Sequence, residues 1–129
     1  VTLTGLTQQT QYHFMVCSTD AFNNTNNSTD RSYTTAAAPD QTPPQITSAV
    51  SVNSITKNTA VIQWNTNEPG NSLVQYDTAT GTWGSYSFSE NDGTMVTSHS
   101  VALTGLTENT LYYVRVGSVD PYGNGPVLS

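Results

Sequence analysis

The side chains with catalytic or ligating chemistry are few: His13, His99, Cys17 and nine carboxylates in 129 residues. A covalent mechanism needs a nucleophile, a base and an orienting group within hydrogen-bond reach, and a structural zinc needs four imidazole or thiolate ligands. His13 falls on the outward face of a strand and His99 opens a strand in phase with Val101 and Leu103, so neither acquires a triad or metal partner from the sequence. Both are assigned structural or surface roles. No Gly-x-Ser-x-Gly, His-Glu-x-x-His or phosphate-cradling glycine loop occurs. The expectation is a non-enzymatic chain with no catalytic residues, no cofactor and no metal.

Asp20 and Asp120 each stand four residues before an asparagine, Asn24 and Asn124. Short polar side chains at that spacing bond loop amides and hold a turn, whereas calcium asks for six to eight oxygens in a preset shell. Turn formation is therefore the expected role. Asn23-Asn24-Thr25, Asn26-Asn27-Ser28 and Asn27-Ser28-Thr29 are overlapping glycosylation sequons, which makes Asn23, Asn26 and Asn27 candidate glycan acceptors beside the plain alternative of an Asn-rich loop. Cys17 is the only cysteine, so an internal disulfide is excluded, and alternation places its thiol on the outer strand face, where a packed-over thiol is expected, with an intermolecular disulfide or a reactive thiol as alternatives. Lys57 lies in a turn, the wrong place for an internal isopeptide bond, which needs a buried lysine beside Asn or Asp and an acid.

These residues sit on a repeat. Val1-Thr2-Leu3-Thr4-Gly5-Leu6-Thr7 returns as Val101-Ala102-Leu103-Thr104-Gly105-Leu106-Thr107, and the offset of 100 holds through Tyr12/Tyr112, Val16/Val116, Asp20/Asp120 and Asn24/Asn124. A period of that length is the size of a domain rather than of a solenoid rung. The chain is thus expected to hold one partial and one nearly whole unit. Hydrophobic residues make up 35% and charged residues 9%, with seven Tyr, two Trp and many Val and Thr, a composition that favours strands over disorder. The net charge of −6, with three fixed cations, gives nucleic acid and anionic membranes no electrostatic purchase. No apolar run approaches the length that spans a bilayer, and no leader is expected within the sequence.

Period-two alternation predicts strands at Val1 to Leu3, Gln11 to Thr19 and Ser32 to Thr35, followed by a Pro-rich linker over 36–44. Further strands are expected at Ile46 to Val52, Thr59 to Thr66, Ser72 to Asp77, Tyr86 to Ser89, Ser98 to Leu103 and Leu111 to Val119. Turns are expected at Asn67 to Asn71 and, of the hairpin kind, at Asn91-Asp92-Gly93. No segment carries a helical period, so the fold class is all-β.

In each copy a Leu-x-Gly-Leu bend precedes Thr-x-Tyr. Leu103 and Leu106 can plug a core where the chain crosses between sheets, and the Tyr112 hydroxyl can bond backbone at the bend, the tyrosine-corner arrangement of β-sandwiches. On these residues the sequence resembles the fibronectin type III family, an immunoglobulin-like sandwich. The resemblance implies that 45–129 is a nearly complete module lacking most of strand G. It makes 1–35 strands E, F and G of a preceding module, so that the modules stand in tandem. It also implies a structural core of Trp64, Leu103, Leu106 and Tyr112, with Leu6 and Tyr12 as their counterparts in the first unit. The wording around Pro43-Pro44-Gln45-Ile46, Val61-Ile62-Gln63-Trp64 and Glu68-Pro69-Gly70-Asn71 is similar to modules of secreted and surface proteins of bacteria and archaea, some of which precede metallophosphatase domains. No metal-binding domain of that kind is in the sequence.

The function expected is a structural segment of an extracellular, prokaryotic surface or filament-forming protein. Its partners would be adjoining identical or related modules, with no nucleic acid, no membrane insertion and a glycan as the one candidate ligand. Two alternatives stand beside it. One is an adhesin or carbohydrate-binding module using Phe22 or Tyr122, and the other is a spacer in a secreted hydrolase.

Overall fold

The computed structural model describes residues 1–129 and contains strands and no helix. It divides into two compact units, Val1–Pro39 and Asp40–Ser129. Unit 1 holds four short strands, β1 (Gln11–Phe14), β2 (Cys17–Thr19), β3 (Thr25–Asn27) and β4 (Arg31–Thr34). They form two antiparallel ribbons, β1 with β4 and β2 with β3. Unit 2 holds β5 (Ser51–Asn53), β6 (Thr59–Asp77), β7 (Phe88–Thr104), β8 (Tyr113–Ser118) and β9 (Val127–Leu128).

The register shows how two layers arise from one sheet. The first half of β6 pairs with β5 and with the end of β7, as in Ile62 with Val52 and with Val101. Its second half pairs with the start of β7 and with β8, as in Val74 with Glu90 and with Val116, and β9 extends β8. Between the halves the β6–β7 register shifts twice, around Gly70, so both long strands turn a corner and belong to both layers. The core fills the space between: Ile62, Trp64, Val101 and Leu103 from one layer meet Val74, Tyr76 and Val116 from the other. Alternation along β6 puts Ile62 and Trp64 on one face, then Val74 and Tyr76 after the corner.

Several expectations are corrected. Asn67 to Asn71 does not separate two strands, because turn-prone residues also suit a bulge: β6 runs through Pro69 and Gly70 while the ladder slips. A Cβ at Gly70 would overlap the Ser118 hydroxyl, which is why the corner can close so tightly there. Asn91-Asp92-Gly93 likewise lies inside β7, with Asp92 accepting from Thr94 N at 2.9 Å. Val1 to Leu3 is not a strand, since nothing pairs with it. The expected Gln11 to Thr19 strand breaks at Met15-Val16 into β1 and β2, and Thr25–Asn27 is an additional strand. Leu6, placed in a core, is 36% exposed, while Leu106, Tyr12 and Tyr112 are half-buried and Trp64 and Leu103 are fully enclosed.

The Pro-rich stretch over 36–44 is not free of the units. The Ala36 carbonyl accepts from Gln9 N and Ala38 N donates to Gln8 Oε1 within unit 1. Pro44 is fully buried in unit 2, and Gln45 N donates to Asn67 Oδ1 at 2.6 Å.

Candidate functional site

The buried polar residues of unit 2, Thr66, Ser72, His99, Ser118 and Asp120, gather around the corner of β6. A ring in a bulged ladder has backbone and hydroxyl groups to meet that a regular strand would have used up. His99 sits there at 1% exposure, its ring parallel to Trp64 at 4.6 Å between centroids. Thr66 Oγ1 donates to the Glu68 carbonyl at 2.7 Å, so toward His99 Nε2, 2.9 Å away, it accepts. The proton therefore stands on Nε2, and Nδ1 accepts from Ser72 Oγ at 2.9 Å. Burial holds the His99 pKa below the ordinary imidazole value, which keeps the ring neutral. Both nitrogens are thereby committed to hydroxyls of the fold. The Trp64 Nε1–H, by contrast, is buried without a partner, a cost accepted for filling the core.

Beside this knot three carboxylates converge. One oxygen each from Asp40, Glu68 and Asp120 lies within 4.8 Å of the others. Asp120 accepts from Tyr122 N, Asn124 N and Asn124 Nδ2 at 2.7–2.9 Å. Burial pushes its carboxyl up, but the Asn124 and Tyr122 hydrogen bonds outweigh that and hold it low. Glu68 moves the other way, raised by loss of hydration and by the neighbouring Asp40 and Asp120. Asp40 is held low by Thr42, which donates through both N and Oγ1. These are the residues that could hold a cation, yet they offer three oxygens where calcium takes six to eight, and those of Asp120 already close a loop. The trio escaped the sequence reading because its members come from three separate segments, with only Asp120 marked by the repeat.

The other sequence candidates lie apart. Asp20 repeats the Asp120 bonding, with Phe22 N, Asn24 N and Asn24 Nδ2 at 2.8–2.9 Å, so the turn-forming role assigned to both aspartates is what their geometry supports. His13 Nδ1 lies 2.8 Å from Asp30 Oδ2 with both side chains exposed. Cys17 is a free thiol and is exposed rather than packed over, and Lys57 is exposed in its turn. Asn23 lies in the loop between β2 and β3 at a φ of 64°, whereas Asn26 and Asn27 are exposed on β3 itself. Phe22 and Tyr122 are exposed at equivalent positions. Thr7 N donates to the Tyr12 hydroxyl at 2.9 Å and Thr107 N to that of Tyr112 at 3.1 Å, the bond proposed for the corner.

The architecture thus defines the class first: an all-β chain whose larger unit is an immunoglobulin-like sandwich built around Trp64, with its polar side chains used to lock corners and loops. Comparison with protein families then gives the affiliation. Residues 43–128 match the family described as purple acid phosphatase, N-terminal domain, and the chain belongs to that family. No curated protein matches the chain. The sandwich implied by the resemblance to fibronectin type III agrees with this family's immunoglobulin-like fold, whereas membership of the fibronectin type III family itself is not what the match establishes.

Proposed function

We propose that the chain is a non-enzymatic β-sandwich segment of a phosphatase, a domain that carries and orients a catalytic domain lying elsewhere in the same polypeptide. The observation that carries this reading is the match of 43–128 to the N-terminal domain of purple acid phosphatase. The chemistry of unit 2 supports it. His99, Thr66 and Ser72 spend their polar atoms on one another and on backbone, and Asp120 spends its own on the Tyr122 to Asn124 loop, which suits a rigid spacer. The one pair in which an imidazole accepts from a hydroxyl, His99 with Ser72, is buried in the corner. The Thr-, Ser- and Asn-rich surface and the sequons at Asn23, Asn26 and Asn27 favour an extracellular or cell-surface setting, and the adjoining partner is another domain rather than nucleic acid or lipid.

The test pairs two samples. The isolated 129-residue chain, incubated with p-nitrophenyl phosphate and divalent metals, should give no turnover. Native material captured with an antibody to the chain should be a larger polypeptide with phosphomonoesterase activity. Turnover by the pure chain that vanished in His99→Ala would overturn the non-enzymatic reading, and native material devoid of phosphatase activity would remove the phosphatase. A second reading, a structural protein of tandem sandwiches at a cell surface or in a filament, is favoured by the repeat at offset 100 and predicts native material with more copies of that repeat.

A further inference from the structure

Unit 1 repeats the bend, the tyrosine bond and the aspartate loop of its counterpart in unit 2, with shorter strands between them, but leaves its apolar face bare. Leu3 is 57% exposed where Leu103 is 1%, and Val16 is 59% exposed where Val116 is fully enclosed. Phe14, Met15 and Leu6 join them, and Leu3, Leu6, Phe14, Met15, Val16 and Tyr33 line one open apolar trough. The strand edge is bare as well. β8 is flanked by β6 on one side and β9 on the other, whereas β1 pairs only with β4 and β2 only with β3. An open apolar face beside a free edge is both a docking site and an aggregation hazard.

The same molecule shows what fits there. Over the unit 2 counterpart of this face lie Ile62 and Trp64, and along the edge of β8 run Val74, paired with Val116, and Tyr76, paired with Val114. We propose that the face of unit 1 is a docking surface for a strand layer of the Thr59–Tyr76 type. Its second half pairs along His13–Cys17, and its indole-bearing first half covers Leu3, Phe14 and Val16. By the offset of 100, the residue equivalent to Val74 lies opposite Val16 and the one equivalent to Tyr76 opposite Phe14. The occupant differs from unit 2 at one place. Cys17 stands where Gly117 lies so close to Trp83 that a Cβ there would meet the outer edge of the indole at 2.9 Å, so in the segment that follows the covering layer the side chain at the Trp83 position must be shifted or smaller.

The test adds residues 41–100, with Trp83→Ser, directly before Val1 of the full 129-residue chain, so that Ser100 precedes Val1 as it precedes Val101. The unmodified chain should bind the apolar dye ANS and exchange the amides of Gln11–Thr19 rapidly. In the fusion, dye binding should fall and those amides should slow by about 100-fold, and Val16→Asp should reverse both. A second variant reads the register directly. With Cys17→Ser, cysteines replacing Val16 and the added copy's Val74 should cross-link, while a cysteine at the added Gln75 should not. Dye binding and exchange unchanged by the fusion, or cross-linking without preference for the Val74 position, would overturn the proposal. So would a 129-residue chain that sediments as a dimer with Gln11–Thr19 protected and dissociates in Val16→Asp, since the occupant would then be a second copy of this chain.

Discussion

His99 offers a test of how the corner of unit 2 is held, because its ring contributes in two separable ways. Its face lies flat on Trp64 at 4.6 Å, and its nitrogens meet the Thr66 and Ser72 hydroxyls at 2.9 Å. His99→Ala removes both and leaves a void, at a cost of about 3–5 kcal/mol. His99→Phe keeps an aromatic ring against Trp64 but leaves the Ser72 hydroxyl without its acceptor, so about 1–3 kcal/mol should be lost. Thr66 retains its bond to the Glu68 carbonyl in either variant. At about 4–8 °C per kcal/mol for a domain of this size, the two melting temperatures should separate clearly. Both tryptophans, Trp64 and Trp83, belong to unit 2, so urea or thermal unfolding followed by tryptophan emission reports that unit within the full chain. The pH dependence adds a signature. The folded pKa of His99 is lowered, so the unfolded chain takes up the proton first, and the ring's stabilisation is complete above its ordinary pKa of about 6.5 and fades as pH falls below it. Between pH 7 and 5 the wild-type urea midpoint should therefore fall more steeply than that of His99→Phe. Equal slopes in the two proteins, or a His99→Ala variant with an unchanged midpoint, would refute the reasoning.

Trp64→Ala should cost about 3–5 kcal/mol by emptying the core, read as a lower urea midpoint by circular dichroism; an unchanged midpoint would remove Trp64 from the core. Tyr112→Phe should lose about 1 kcal/mol with the Thr107 bond, and amide exchange at Thr107 should quicken while the fold persists. Asp77 accepts from Thr78 N at 2.6 Å and Ser87 N at 2.8 Å, and the Ser87 bonds foremost hold it at about 2. Its contribution should be present above the ordinary value of 3.8 and fade as pH falls toward about 2, and Asp77→Ala should speed exchange at Ser87. If the sequons of the first unit are glycosylated in native material, its mass should exceed that of the polypeptide, and the excess should vanish when Asn23, Asn26 and Asn27 are changed to Gln.

What was legible in the sequence is what is encoded locally. The alternation of Ile62 with Trp64 and of Val74 with Tyr76, the Tyr112 corner and the Asp120 loop all follow from short spacings. The corner of β6 did not, because Asn67-Glu68-Pro69-Gly70-Asn71 carries turn residues that a bulge uses equally well, and only the pairing partners of β7 decide between them. The partners of His99 were hidden for the same reason: Thr66 and Ser72 become neighbours only where the ladder slips. The carboxylate trio needs Asp40, Glu68 and Asp120 from segments that no sequence period connects.

The two copies of the repeat separate local from tertiary causes inside one chain. Gly5 and Gly105 take φ values of 71° and 70°, Gln9 and Asn109 take 50° and 53°, and each copy makes the same tyrosine bond, although one is open to solvent and the other lies against a core. Left-handed backbone at those positions is sparsely populated unless a glycine or a local bond favours it, so the bend is written into the motif itself. The aspartate loops agree, since Asp20 and Asp120 make the same three bonds although only Asp120 is buried. Burial is therefore a consequence of what arrives over the motif, not a condition for its shape. A corner that holds its bend and its tyrosine bond while uncovered is ready for a strand layer, and the ordering left to docking is confined to segments such as Val1 to Leu3 and Met15-Val16, which are strand only in the covered copy.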